Sequence, residues 1–237
     1  MEMPIARDFA GAIRAAAALD DEIAIIAEVK RRSPSKGDLA PLLDPFDLAA
    51  RYEAAGAACL SVLTDAPHFG GSAEDLITAR TAVSLPVLRK DFTVDERDLY
   101  DARIMGADAV LLIVAALDQV ELECFVDISG RIGLAAVVEV HDEAELSRAL
   151  SAGGTVIGVN QRDLKTFEVD TDRAVRVGEA MPDGVVRVAE SGVRSAADTA
   201  RLKAAGFHAV LVGEALVTAT DSVAQLVALR TGPGRVE

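Results

Sequence analysis

The sequence predicts an α/β protein, a (β/α)8 barrel (TIM barrel) in a single domain. Three observations carry this. Eight short apolar, β-branched runs recur along the 237 residues, beginning roughly 21 to 36 residues apart. Between them lie helix-period segments, most of which stop at a glycine. No interior linker, low-complexity tract or charge block breaks the alternation. Strands alternating with helices imply right-handed crossovers and a parallel sheet. Eight such units in one chain of this length fit a closed barrel, with a doubly wound open sheet as the alternative. Residues 1–22 form a short N-terminal helical segment, 23–230 the barrel, and 231–237 a tail that frays.

In chain order, FAGAIRAAAAL (9–19) is an alanine-rich helix that Asp8 can cap. The apolar run 23–27 is the first strand and ends in charge, at Glu28 and Lys30. Residues two apart share a strand face, so this acid and base point the same way. Asp44 caps the next helix, Pro45 suits its first position, and Gly56 ends it. Strand 59–63 and the loop TDAPHFGGS lead to helix 73–82. Strand 86–89 runs into Lys90-Asp91-Phe92, then helix 96–105. Strand 109–114 precedes helix 118–131, and strand 135–138 ends in Glu139 before helix 142–152. Strand 156–159 ends in Asn160, with Arg162 two residues on, before the loop DLKTFEVD and helix 171–180. Strand 185–189 ends in Glu190-Ser191-Gly192, and Ser195 caps a helix that stops at Gly206. Strand 209–212 ends in Gly213-Glu214, followed by a helical turn and helix 221–229.

Composition narrows the function. The chain is 51% hydrophobic with 4% aromatic residues and no Trp, so its core is built from Ala, Val, Leu and Ile. A net charge of −14 argues against nucleic-acid or membrane-surface binding. Against that acidic background Lys30, Arg31, Arg32 and Lys36 form a basic island. It reads as a site for an anionic small molecule or as a solvated loop. Cys59 and Cys124 sit in apolar contexts without metal or disulfide spacing, so both read as buried, reduced thiols. The N-terminus lacks a signal-peptide pattern, and no apolar run approaches a membrane span. A cytoplasmic monomer is expected.

Barrel active sites lie at the C-terminal strand ends. Those tips carry Glu28, Lys30, Lys90, Glu139, Asn160, Arg162, Glu190, Ser191 and Gly213. Three carboxylates, two lysines and an arginine on one mouth suit proton transfer, because each shifts the others' pKa values. An ion-pair network that merely closes the barrel top is the alternative. The loops after the last two strands occupy the usual phosphate position, where Gly192 and Gly213 let backbone N–H groups approach an anion. Glu214 beside a dianion must turn its side chain away. His68, His141 and His208 have no metal-ligand spacing; His141, two residues after Glu139, could reach the mouth but reads first as a capping or surface residue, and His208 as a residue of the barrel bottom. Phe69, Phe92 and Phe167 fall in loops after strands, as packing or as walls for an aromatic substrate. No nucleophile elbow, Walker loop or dinucleotide fingerprint occurs.

The segments IAEVKRRSPSKG, SVLTDAPHFGGS, PVLRKDF, GADAVLLIVAAL, VVEVH, IGVNQRDLKTFEVD, VAESGV and AVLVGEALV occur in order between residues 23 and 217. In them the chain resembles the indole-3-glycerol phosphate synthase family of tryptophan biosynthesis. The resemblance implies ring closure, decarboxylation and dehydration of 1-(2-carboxyphenylamino)-1-deoxyribulose 5-phosphate, with no cofactor and no metal. It implies that Lys90 is the general acid at the ribulose carbonyl oxygen, and that Lys30 neutralises the substrate carboxylate. It gives Glu139 the acid/base role in dehydration and Glu28 an assisting role at the anilino nitrogen. Asn160 and Arg162 would orient the substrate. Ser33, Ser191, Gly192 and Gly213 would bind phosphate, with Glu190 and Glu214 beside them. Phe92, Leu111 and Leu164, with Phe69, would wall the aromatic ring. A lysine held near its working pH by its neighbours suits this acid role. Family members usually carry a longer N-terminal extension whose extra helix lies over the mouth; residues 1–22 match its last part. The alternatives are a sugar-phosphate isomerase on the same barrel and a non-catalytic or altered-substrate barrel that keeps the phosphate site.

Overall fold

A computed structural model describes residues 5–19, 22–163 and 166–232. Eight parallel strands close into a barrel: β1 (Ala24–Val29), β2 (Cys59–Leu63), β3 (Val87–Lys90), β4 (Ala109–Ile113), β5 (Ala135–Val140), β6 (Val156–Asn160), β7 (Val186–Glu190) and β8 (Ala209–Val212). β1 pairs with both β2 and β8, which completes the ring and removes the open-sheet alternative. The expected tail beyond residue 232, and Leu164, lie outside the described residues.

Strand parity sorts the side chains. Ile25, Ala27 and Val29 of β1 pack outward under the helices, whereas Ala24 and Ile26 face the barrel interior with Cys59, Leu88, Val137, Val156 and Val188. Two residues further along the inward-facing rows, apolar gives way to ionic: Ile26 to Glu28, Leu88 to Lys90, Val137 to Glu139, Val188 to Glu190. The site is therefore the next layer of the barrel core.

Helix Phe9–Ala17 covers the opposite end. Asp8 caps it by accepting the Gly11 N–H, and Phe9 and Ile13 are wholly buried against the first residues of the strands. Burying each of these two side chains is worth about 2–3 kcal/mol. Asp108 ties this end together. Its buried carboxylate accepts the Arg7 N–H at 2.8 Å, the Val87 N–H at 2.9 Å and the Arg80 guanidinium at 3.0 Å. Asp108→Ala strands those donors, so urea denaturation at pH 7 should show a loss of about 3 kcal/mol. A loss below about 1 kcal/mol would mean that water replaces the carboxylate.

Several expectations need correction. The stretch after β2 is not all loop: Ala66–Phe69 forms a helical turn capped by Asp65, so Phe69 sits at a helix end. Asp followed by Pro within two residues was the helix-start signal there. A two-stranded hairpin, Arg32–Ser33 with Gly37–Asp38, orders the basic loop. β5 runs past Val138 through Glu139 to Val140. The helix expected over 171–180 is Arg173–Glu179, because the Asp170 side chain accepts the Asp172 N–H and holds a turn. Cys59 is buried, but Cys124 is exposed, on the helix Gln119–Arg131 that turns Leu122 and Phe125 inward. His208 does lie low in the barrel, where its Nδ1 accepts the Arg187 N–H.

Candidate active site

The mouth of the barrel holds a cavity of about 570 Å³. Glu28, Lys30, Lys90, Glu139, Asn160 and Glu190 line its floor. Lys90 is the hub: its Nζ lies 2.6 Å from Glu190 Oε2 and 3.0 Å from Glu139 Oε2. Asn160 Nδ2 donates to Glu139 Oε1 at 3.1 Å. Glu28 pairs with Lys30 at 2.6 Å, with Ser61 Oγ 3.5 Å from its other oxygen. The three carboxylates are each 2–3% exposed, so solvent screens them little.

Burial pulls the Lys90 pKa down, but Glu190 and Glu139 outweigh it and hold the ammonium above its ordinary range. The two carboxylates thus favour the charged, proton-bearing form of Lys90. Two acids sharing one cation cannot both be fully compensated. Burial raises Glu139, yet Lys90, the Asn160 hydrogen bond and His141 together bring it below the usual carboxylate range. Among the described residues Glu190 has Lys90 alone. Burial, with Glu139 and Glu28 nearby, pushes it up to about 7. Its Oε1 is buried with no hydrogen-bond partner among the described residues.

Two glycines make room for these acids. A Cβ at Gly158 would stand 2.1 Å from Glu190 Oε1, and one at Gly213 would stand 2.2 Å from Glu28 Oε1. Gly158 went unnoticed in the sequence, although an isolated glycine inside a strand signals close approach. Ser61, a lone hydroxyl in an apolar strand, was a second missed signal.

Ser33, Lys36, Ser191, Gly192, Gly213 and Glu214 line one side of the cavity, with Arg194. Ser33 Oγ is buried and lacks a partner among the described residues. Ser191 and Gly192 both have positive φ, 66° and 77°; Gln161 Nε2 donates to the Ser191 carbonyl at 2.7 Å and holds this loop. At Gly192 a Cβ would meet Val169 at 2.6 Å, so glycine is required twice over. Glu214 turns to Lys36. Of the four island bases only Lys30 and Lys36 reach the cavity: Arg31 is taken by Asp75 and the Leu43 carbonyl, and Arg32 lies 3.9 Å from Asp38. Arg194 was missed because nothing in its helix-start context marks it.

Leu111, Ile113, Phe69, Phe92 and Phe167 supply apolar wall, with Phe92 and Phe167 45% and 44% exposed at the rim. Arg162 lines the cavity and donates to the Phe167 carbonyl at 3.1 Å. His141 is neither a cap nor a surface residue: its Nε2 lies 3.7 Å from Glu139 Oε1. Among the described residues no group of three or more His, Cys, Asp and Glu could hold a metal ion. No helix among them is long and apolar enough to cross a membrane.

Three comparisons place the chain. The family model for indole-3-glycerol phosphate synthase matches residues 2–229. The indole-3-glycerol phosphate synthase of Mycobacteroides abscessus is 53% identical over 221 residues, 92% of this chain and 81% of that protein. The synthases of Mycolicibacterium vanbaalenii and Leifsonia xyli are 52% and 53% identical, over 97% and 89% of this chain and 84% and 80% of theirs. A thiamine phosphate pyrophosphorylase from Pyrococcus furiosus superposes with a TM-score of 0.65 at 15% identity, covering 89% of this chain and 94% of that one, a likeness of fold alone. A match from residue 2 to residue 229, with relatives above half identity over nine-tenths of the chain, settles descent: the chain belongs to the indole-3-glycerol phosphate synthase family.

Proposed function

We propose that this chain converts 1-(2-carboxyphenylamino)-1-deoxyribulose 5-phosphate to indole-3-glycerol phosphate, releasing CO2 and water. The observation that carries the reading is one ammonium, Lys90, held between two buried carboxylates on the floor of a cavity whose rim is basic on one side and apolar on another. The substrate has matching parts: a phosphate, a carboxylate and an aromatic ring.

On this reading the charged Lys90 gives its proton to the ribulose carbonyl oxygen as the ring closes. Lys30 sits beside the substrate carboxylate, and Glu28, 2.6 Å from it, sets its position. Glu28 also stabilises positive charge developing at the anilino nitrogen. Loss of CO2 removes a charge, which the Leu111 and Phe92 walls favour. Glu139, held ionised, takes the proton whose removal accompanies loss of water, while Asn160 fixes its carboxylate. Glu190, poised near neutrality against Lys90, is a partner of the general acid rather than a phosphate ligand. Ser33, Ser191, Gly192 and Gly213 receive the phosphate, and Arg162 orients the sugar. The chemistry calls for no metal or cofactor. We extend the reading to a cytoplasmic monomer, for which the exposed Cys124 thiol fits a reducing compartment.

Mixing the purified protein with this ribulose phosphate should produce the absorbance and fluorescence of the indole product. A trace that stays at the buffer blank removes the reading.

A further inference from the structure

Behind the cavity wall one imidazole stands between two carboxylates. His141 follows Glu139 by two residues, just past the end of β5 at Val140. Its Nε2 lies 3.7 Å from Glu139 Oε1, and its Nδ1 lies 3.1 Å from Glu145 Oε2. Glu145, in the first turn of helix Glu143–Ser151, also accepts the His141 backbone N–H at 2.7 Å. Backbone and ring are thus tied to the same carboxylate. Nε2 is buried and makes no hydrogen bond among the described residues. A neutral imidazole has one N–H. If it served Glu145, Nε2 would turn a lone pair toward a negative oxygen. The imidazolium alone presents an N–H to each acid.

We propose that His141 is a positioning residue for Glu139: anchored by Glu145, its imidazolium steers the Glu139 carboxylate and keeps it ionised at the oxygen that Lys90 does not contact. The proposal rests on Glu139 being the acid/base of the reaction. The charged groups facing the ring are Glu139 on β5, Glu145 on the following helix and Arg173 on helix Arg173–Glu179. Lys90 and Asn160 lie beyond, on Glu139 itself. Burial lowers the His141 pKa, but the Glu145 hydrogen bond and the two carboxylates raise it overall against the opposing pull of Arg173. In return His141 is one of the groups that hold Glu139 down.

The test pairs kinetics with imidazole NMR, which is tractable because the chain has three histidines. In His141→Gln the Glu139 pKa rises, so the acid limb of the kcat–pH profile moves up by about one pH unit. Its plateau stays within about threefold of wild type. Glu145→Gln moves the limb in the same direction by less. In the unliganded protein His141 titrates above 6.5, and Glu139→Gln lowers that midpoint. An unmoved acid limb in His141→Gln, beside an inactive Glu139→Gln, overturns the inference and leaves the proposed reaction standing. A fully active Glu139→Gln overturns both. Should His141→Gln fail to fold, the NMR arm still decides: a His141 midpoint indifferent to Glu139→Gln overturns the coupling.

Discussion

Lys90→Ala should lower kcat by about 10³-fold, roughly 4 kcal/mol of transition-state stabilisation. Among the described residues the Lys90 ammonium is the one cation that touches both Glu139 and Glu190. Without it three buried carboxylates face one another, so part of the effect is a rearranged floor. Lys90→Arg separates the two causes. Its guanidinium keeps the charge and the pairing but holds its proton too tightly to give it away. It should lose about as much kcat as the alanine variant while keeping wild-type stability. Lys36→Ala provides the contrast. Lys36 is about half exposed and paired with Glu214 at the cavity edge, so its loss should cost tenfold at most, mainly in KM. Comparable kcat losses at both positions would show that the general acid lies elsewhere.

Glu190→Gln should make the protein more stable in alkaline than in acidic solution, relative to wild type. In the folded chain Glu190 is pushed from 4.5 up to about 7. Between those values the native state holds a proton that the unfolded chain has released. Wild-type stability therefore falls as pH rises from 4.5 to 7 and is level above that, as far as this group is concerned. The glutamine variant lacks that fall. Urea titrations across the range should show the variant gaining about 3 kcal/mol on wild type by pH 8, with most of the gain between pH 5 and 7. Other carboxylates are common to both proteins and cancel. A difference independent of pH would mean that Glu190 is ionised throughout.

The barrel was legible because each β-branched run is bounded by caps and glycines that the structure uses: Asp8, Asp44 and Ser195 all accept the expected N–H groups. The floor of the site was legible for a related reason. A charge ending an apolar run has few uses other than the barrel mouth, and parity then fixes its direction. Partnership was not legible. Nothing in RRSPSKG distinguishes Lys36, which lines the cavity, from Arg31, which Asp75 claims from 44 residues away. The same holds for Glu190. Its neighbours in sequence suggest a phosphate loop, while its side chain reaches Lys90 across the barrel, 100 residues distant. His141 was misread because its i+4 link to Glu145 looks like an ordinary helix start. The protonation of Lys90 depends on two carboxylates from other strands, and no local pattern encodes that sum.

The step from apolar to ionic along each inward-facing row also disciplines folding. A one-residue slip of β5 would put Glu139 where Val138 packs beneath the helices, and would carry Val138 into the ring of charges. An unpaired carboxylate in that layer costs several kcal/mol, enough to expel the slipped pairing. The groups that confer reactivity thus act as alignment pins for the strands, and a variant that neutralises several of them together would be expected to close its barrel with less fidelity.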